Sequence, residues 1–118
     1  MTPNDNTPSP NQPVWVAEST HPELIEHLRE SLREIVDPEI GLNIIELGLV
    51  RNVEIEDGSA NLTMILTTPF CPYGPAMLET TRQKAEKALE IPTTLEFGTE
   101  MWDFSMMEES AAAEWGIF

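Results

Sequence analysis

The sequence predicts an α/β (α+β) two-layer sandwich, in which helices cover a small mixed sheet built in α-β-β-α-β order, followed by a short C-terminal helix. Three observations predict this. The 118 residues are about the size of one ~150-residue domain. Their 41% hydrophobic content suits a small core. Segments of helical period also alternate with segments of strand period along the chain.

The first predicted helix begins near Thr20, where Thr20 and Glu23 form a Thr-x-x-Glu capping box and Pro22 is tolerated in the first turn. The Asp37-Pro38 pair ends the helix, because a residue before proline is pushed out of the helical region. The apolar positions fall within about 120° of the helical wheel. They are Leu24, Ile25, Leu28, Leu32, Ile35 and Val36.

A β-hairpin is predicted after a loop over residues 37–48, which is too apolar to be a mere solvated connector. Residues 49–56 alternate as a strand, and Asp57-Gly58 is a two-residue hairpin signal. The return strand is predicted to place alternate residues on two faces. Ala60, Leu62, Met64 and Leu66 are expected on one face, and Asn61, Thr63, Ile65 and Thr67 on the other.

A second helix is predicted from Pro75 to about Glu90, and Ile91-Pro92 ends it. A strand then covers residues 94–101, and a helix between two strands predicts that these strands are parallel neighbours. A final short helix is expected over residues 106–114, with Ser105 as its cap. The apolar side of the second helix comprises Met77, Leu78, Thr81, Ala85, Ala88 and Leu89, and that of the third strand comprises Leu95, Phe97, Thr99 and Met101.

Domain organisation follows from composition. Residues 1–13 contain four prolines and three asparagines, so they cannot bury enough apolar surface to offset their ordering entropy. We therefore predict a disordered tail over 1–13 and a single domain over 14–118.

The charge of the chain excludes several classes of partner. Six basic and 21 acidic residues give a formal net charge of −15, which disfavours nucleic acid and anionic lipid. No membrane span or secretory signal is visible, and one cysteine suits a reducing compartment, so we expect a cytoplasmic protein. Residues 88–118 hold seven acidic residues and no basic one. This stretch is either a solubilising surface or an acidic face for a basic partner.

Few residues in the sequence suit catalysis or metal binding. His21 and His27 are six residues apart, whereas a metal-binding helical pair is spaced by four. Glycine-rich nucleotide loops and the Gly-x-Ser-x-Gly signature are missing from the sequence, and no separated pair of carboxylates can be singled out. These observations leave Cys71 as the main candidate.

Cys71 lies between a predicted strand end and a predicted helix start, in a turn bracketed by Pro69, Pro72 and Pro75. Unpaired backbone N–H groups at a helix start favour the thiolate, and the prolines restrict the loop. A lone cysteine is commonly a small buried hydrophobe. This context favours instead a functional sulfur, acting as a nucleophile or as a metal ligand.

Three polar residues remain open to two interpretations. Thr67 and Thr68 either orient the cysteine loop through their hydroxyl groups or simply end a strand. Asp37 is either a polar member of the site or the cap of its own turn, and its residue type alone favours the cap.

Three segments of the sequence resemble the PaaD/SufT-like family of iron–sulfur cluster assembly proteins. Asp37-Pro-Glu-Ile-Gly-Leu-Asn-Ile-Ile-Glu-Leu-Gly-Leu-Val50 resembles the opening signature of this family. The hairpin leading into Thr67-Thr-Pro-Phe-Cys-Pro72 resembles its second signature, which holds the functional cysteine. The ending over residues 102–117 is also similar, so the resemblance covers about residues 20–117.

The resemblance implies a small α/β domain that helps to mature or insert iron–sulfur clusters, and that binds carrier or client apo-proteins. It assigns the functional, metal-ligating cysteine to Cys71 and the acidic residue of the first signature to Asp37. We expect Glu39, Thr67 and Thr68 to support that site. A cluster requires about four sulfur ligands, whereas one chain supplies a single thiol. Any cluster is therefore expected to be held transiently, between two chains of a homodimer or with a partner.

The sequence also departs from the family pattern. Gly41 stands where proline is common, and Phe70 stands where glycine is common before the cysteine. The segment between Trp102 and Met106 is shorter than usual. The additional cysteines of the phenylacetate-pathway members are missing, which disfavours that role.

Two other functions compete with a non-catalytic assembly factor. One is a thiol-dependent enzyme that uses Cys71, which would require a nearby base. The other is a protein–protein adaptor with an inert cysteine and a contact surface of large apolar residues. Those residues are Met101, Trp102, Phe104, Met106, Met107 and Trp115, for which core packing is the favoured alternative.

Overall fold

The sheet of this protein has three strands in the order β1-β2-β3, with β2 in the centre. The computed structural model describes residues 13–38, 40–68 and 72–108. The elements are α1 (Ala17–Thr20), α2 (Pro22–Leu32), β1 (Val50–Glu56), β2 (Ser59–Met64), α3 (Gly74–Leu89), β3 (Thr93–Phe97) and a 3₁₀ turn (Phe104–Met106). The mixed sheet and the predicted α+β class are confirmed.

The β1–β2 hairpin forms as predicted. Asp57 has φ 52° and Gly58 has φ 77°, so both turn residues lie in the left-handed region. A two-residue turn of this type matches the twist of antiparallel strands. Val53 pairs with Leu62, and both side chains are fully buried.

Strand β3 is parallel to β2, as the intervening helix predicts, with Leu62 opposite Leu95. The prediction that the strand continues through Thr99 to Met101 is wrong. β3 ends at Phe97, because its partner strand ends at Met64, the residue opposite Phe97. Phe97 is 52% exposed and Met101 is 82% exposed.

The helix predicted to begin near Thr20 corresponds to α2, and the short helix α1, which was not predicted, precedes it. α1 ends at Thr20, and α2 begins at Pro22 without a side-chain cap, so the Thr20–Glu23 capping box is not formed. The Thr20 hydroxyl instead bonds to Nδ1 of His21, at 2.8 Å. α2 ends at Leu32 rather than at the predicted Val36.

The early end of α2 follows from pairing with the next loop. Val36 forms an isolated antiparallel bridge with Asn43, and the N–H of Ile44 donates to the carbonyl of Ile35 at 2.9 Å. Pairing requires extended backbone, so these residues leave the helix. Ile35 stays buried while Val36, predicted on the apolar side, is about half exposed.

The core lies between one face of the sheet and helices α2 and α3. The loop over residues 40–48 also contributes to it, as its apolar composition predicts. Ile65 was expected to share the outward face of β2 and is instead buried, because the strand ends at Met64 and the N–H of Ile65 turns to the carbonyl of Leu49. The largest fully buried side chains include Ile25, Leu28, Leu32, Ile44, Leu47, Leu49, Leu62, Met64, Ile65 and Met107.

The segment after β3 folds back onto the loop before β1. Trp102 Nε1 donates to the carbonyl of Leu47 at 2.7 Å, and Met106 and Met107 are buried, so these apolar residues belong to the core. Oδ1 of Asp103 accepts the N–H of Ser105 at 2.8 Å and so caps the 3₁₀ turn, whereas the predicted Ser105 cap belongs to a helix that is mostly not described. Residues 109–118, with most of the predicted last helix and Trp115, lie outside the described residues, as do residues 1–12 of the predicted tail.

None of the helices in the described part of the chain is long and apolar enough to cross a membrane.

Candidate functional site

Asp37 is a buried carboxylate at the first turn after α2, with a relative exposure of 1%. Its backbone N–H donates to the carbonyl of Leu42 at 2.9 Å, and its carbonyl accepts the N–H of Gly41 at 2.8 Å. Its Oδ1 accepts the N–H of Ile40 at 3.3 Å. Asp37 therefore closes its own turn, as the cap interpretation expects.

The other carboxylate oxygen of Asp37 reaches the loop that follows β2. The hydroxyl of Thr67 donates to Asp37 Oδ2 at 3.3 Å, across 30 residues of sequence. The structure thus brings together two predicted site residues from the two signature segments. Thr68, the next residue, is half-buried in the same loop.

The start of α3 is held against the same loop by Gly74. A Cβ on Gly74 would lie 2.6 Å from Cδ1 of Leu66, so only glycine fits without moving Leu66. The start of the loop between β2 and α3 is therefore tied to Asp37 by Thr67, and the start of α3 packs against Leu66 of the same loop. Tyr73, just before the helix, is about half exposed and accepts the N–H of Met77.

Cys71 and Glu39 lie outside the described residues, so their assignment to the site stays a prediction. Chain order puts Cys71 four residues after Thr67 and three before Gly74. The part of the chain that the structure describes contains no group of three or more His, Cys, Asp or Glu residues able to hold a metal ion. His21 lies at the start of α2, the end opposite to the Asp37 turn.

The loop over residues 43–48 contains a reciprocal pair that the sequence analysis missed. The N–H of Asn43 donates to Glu46 Oε1 at 2.9 Å, and the N–H of Glu46 donates to Asn43 Oδ1 at 2.7 Å. The signal was present, since Asn-x-x-Glu has the spacing of a capping box. This turn stiffens the segment that leads from the Asp37 turn into β1.

A second missed contact ties the C-terminal segment to this loop. Arg33 makes a two-pronged ion pair with Glu108 at 2.9 and 2.8 Å, and the N–H of Glu108 donates to the carbonyl of Glu46 at 2.8 Å. Hydrogen bonding to Glu108 raises the pKa of Arg33 above its usual range, against the lowering effect of partial burial. Arg33 and Glu108 are 75 residues apart in the sequence, and helix or strand periodicity relates only nearby positions. This contact is therefore visible only in the fold.

The fold and the site define a class of small α+β domain that presents one anchored loop, between a strand and a helix, next to a buried carboxylate. Several known proteins are similar to this chain. The family described as iron–sulfur cluster assembly protein matches residues 25–95, which is more than half of the chain.

Two curated relatives and one solved structure are similar to the chain. The Fe-S protein maturation auxiliary factor of Porphyromonas gingivalis is 38% identical over 98 residues, covering 78% of this chain and 90% of that protein. The Fe-S protein maturation auxiliary factor YitW of Bacillus subtilis is 36% identical over 72 residues, covering 60% and 71%. The crystal structure of a domain of unknown function from Bacillus anthracis has a TM-score of 0.72 at 22% identity, covers 85% of this chain and 98% of that one, and so supports the fold.

The chain belongs to the iron–sulfur cluster assembly protein family, as a SufT-like member. The resemblance found in the sequence is thereby confirmed.

Proposed function

We propose that this chain acts in iron–sulfur cluster maturation as a non-catalytic auxiliary factor, in which Cys71 holds a cluster transiently or meets the cysteines of a carrier or client apo-protein. The general role, in the maturation of iron–sulfur proteins, is the one that the names of its curated relatives give. The assignment of this role to Cys71 is our proposal. In this proposal the cluster is a cargo that is passed on, and not a resident cofactor. We place this activity in the cytoplasm.

The observation that supports this proposal best is the hydrogen bond from Thr67 to Asp37. It anchors the start of the loop that carries Cys71 to a buried turn from the other signature segment. Anchoring lowers the entropy that the loop loses when its sulfur meets a partner. A loop whose start is fixed in this way suits transfer between proteins.

The stoichiometry of the ligands argues for transient holding. One chain supplies one thiol, whereas common clusters take about four sulfur ligands from protein. Two copies supply two thiols, which leaves the remaining positions for a partner's cysteines or a small thiol. We therefore expect the isolated monomer to hold a cluster weakly.

The direct test is Cys71→Ser in an assay of cluster transfer to an apo-protein. Transfer is expected to stop while the melting midpoint changes little, because Cys71 is predicted to lie in a loop and not in the core. Normal transfer by Cys71→Ser, or a stable cluster on a monomer without added thiol, would contradict the proposal.

A matched pair of variants tests the anchor. Thr67→Val removes the hydroxyl and keeps the side-chain shape, whereas Thr67→Ser keeps the hydroxyl. We expect slower transfer for Thr67→Val and near-normal transfer for Thr67→Ser, with equal reactivity of the Cys71 thiol after unfolding in denaturant. Equal transfer rates for the two variants would show that the hydrogen bond has no part in transfer.

A further inference from the structure

The free edge of β3 is the feature that the proposed function does not use. The backbone N–H of Ala60 donates to the carbonyl of Pro92 at 2.9 Å, and the N–H of Gly98 donates to the carbonyl of Met64 at 2.8 Å. Backbone groups of even-numbered residues in this segment therefore face β2. Because the direction alternates along a strand, those of Thr93, Leu95 and Phe97 face away from it.

Side chains of α3 form hydrogen bonds with the outward backbone groups of only the first of these three residues, Thr93. The N–H of Thr93 donates to the Glu86 carboxylate at 3.0 Å, and Arg82 donates to the Thr93 carbonyl at 3.4 Å. The outward N–H and C=O groups of Leu95 and Phe97 meet no partner within the described ranges. An unpaired row of this kind is a template for another strand.

The opposite edge of the sheet, formed by β1, is contacted at its first residues by the N-terminal segment. Trp15 Nε1 donates to the carbonyl of Val50 at 2.9 Å, and the N–H of Val16 donates to Asn52 Oδ1 at 2.9 Å. Within the described residues, β3 differs from the start of β1 because no such segment meets the outward groups of Leu95 and Phe97.

The side chains next to this edge indicate the chemistry of the strand that fits it. On the face away from the helices, Thr94 and the exposed Glu96 would flank an added strand. The Glu96 carboxylate accepts a hydrogen bond from the Thr63 hydroxyl at 3.5 Å, and no described cation pairs with it. On the helix face the flanking side chains are the part-buried Leu95 and the half-exposed Phe97.

We propose that the edge of β3 binds an extended segment of a partner protein in which basic and apolar residues alternate, so that the segment becomes a fourth strand. Its basic side chains lie beside Glu96, and its apolar side chains lie beside Leu95 and Phe97. Opposite charges on neighbouring strands stabilise such a pairing. A second copy of this chain fits poorly, because each copy carries a formal charge of −15 and its own Glu96.

The position of this edge connects it with the candidate site. Phe97 pairs with Met64, the last residue of β2, and the loop toward Cys71 leaves from there. A bound segment therefore ends beside that loop. This inference goes beyond the proposed function, because no step of it uses the Cys71 sulfur.

The test uses two short blocked peptides, one alternating lysine with valine and one alternating glutamate with valine. Binding is followed by NMR, with amide hydrogen exchange of the full chain. The lysine peptide is expected to bind and to slow exchange at Leu95 and Phe97, and the glutamate peptide to bind at least about five-fold more weakly.

Two variants give the controls. Phe97→Pro removes one outward N–H, which an edge strand tolerates, and is expected to abolish binding, whereas Phe97→Val is expected to retain it. Glu96→Lys, at an exposed position, is expected to weaken the lysine peptide about five-fold and to strengthen the glutamate peptide. If Phe97→Pro does not fold, the binding of the two peptides to Glu96→Lys tests the proposal by itself.

Several results would overturn the inference. Slow exchange of Leu95 and Phe97 in the free monomer would show that a terminal segment of the chain itself covers the edge. Slow exchange that appears only in a concentration-dependent dimer would assign the edge to a second copy. Equal binding of both peptides to the natural chain would show that Glu96 does not select a basic segment. Cys71→Ser is expected to bind the lysine peptide normally, so failure here and failure of the proposed function are distinguishable.

Discussion

Gly48 and Gly58 have the same backbone conformation but different surroundings. Their φ angles are 72° and 77°. A Cβ on Gly48 would lie 1.9 Å from the Met106 carbonyl oxygen, whereas Gly58 has open space. Gly48 is thus required both for its turn and for the close approach of the C-terminal segment.

The first prediction compares alanine at these two glycines. Gly58→Ala adds only backbone strain and is expected to lower the free energy of unfolding by about 1 kcal/mol. Gly48→Ala adds a clash with backbone and is expected to cost more than about 3 kcal/mol. Denaturant unfolding measures both. Equal costs would mean that the C-terminal segment does not press on Gly48.

Leu62 tests the packing of the central strand. Its side chain is fully buried and its residue pairs with Val53 on one side and Leu95 on the other. Leu62→Ala is expected to lower the free energy of unfolding by roughly 2–4 kcal/mol through lost burial and a cavity. Glu54→Ala, at an exposed position of the same sheet, is the control and should change it by less than about 0.5 kcal/mol. A near-neutral Leu62→Ala would contradict the buried face assigned to β2.

At the scale of single elements, α3 carries the clearest local charge interaction. Arg82 donates to both Glu79 carboxylate oxygens, at 3.0 and 2.7 Å, and Gln83 adds a third hydrogen bond. These hydrogen bonds lower the pKa of Glu79 from its ordinary 4.5 to about 2, and hydrogen bonding by Arg82 is the largest cause.

The pH dependence follows from the sign of this shift. Because the folded pKa lies below the unfolded one, the stabilising contribution of Glu79 is present above about pH 4.5 and is lost as the pH falls toward 2. We expect an NMR titration to place the Glu79 midpoint well below 4.5, and Arg82→Gln to move it upward. Arg29→Gln on α2 is the control and should leave it unchanged. An unmoved midpoint in Arg82→Gln would refute the assigned cause.

For the whole molecule, Trp15 ties the start of the described chain to the sheet. Its ring is buried, its indole N–H donates to the Val50 carbonyl, and the guanidinium carbon of Arg29 lies 4.6 Å from the ring centroid. The tail before it is rich in proline and asparagine and is predicted to bury nothing.

Two truncations test this boundary. Deleting residues 1–13 is expected to leave the melting midpoint within a few degrees, as for a tail that packs on nothing. Deleting residues 1–16 also removes Trp15 and is expected to lower the midpoint by about 10 °C or more. Thermal unfolding followed by circular dichroism measures both, and a large drop in the shorter truncation would show that the tail packs on the domain.

The sequence by itself determined the features that rest on local rules. The Asp57-Gly58 turn, the antiparallel hairpin, the α3 helix and the parallel third strand all follow from side-chain period and turn chemistry, which act over a few residues. The two signature segments, read as a resemblance, indicated the family and proposed Asp37 and Thr67 for one site.

Only the tertiary structure decided where elements end and which distant residues meet. α2 stops at Leu32 because Val36 pairs with Asn43, and β3 stops at Phe97 because β2 ends at Met64, the partner of Phe97. The bond between Thr67 and Asp37 and the ion pair between Arg33 and Glu108 span 30 and 75 residues. Such contacts depend on how the packed elements bring distant segments together, and the local periods of a sequence carry no information about that packing.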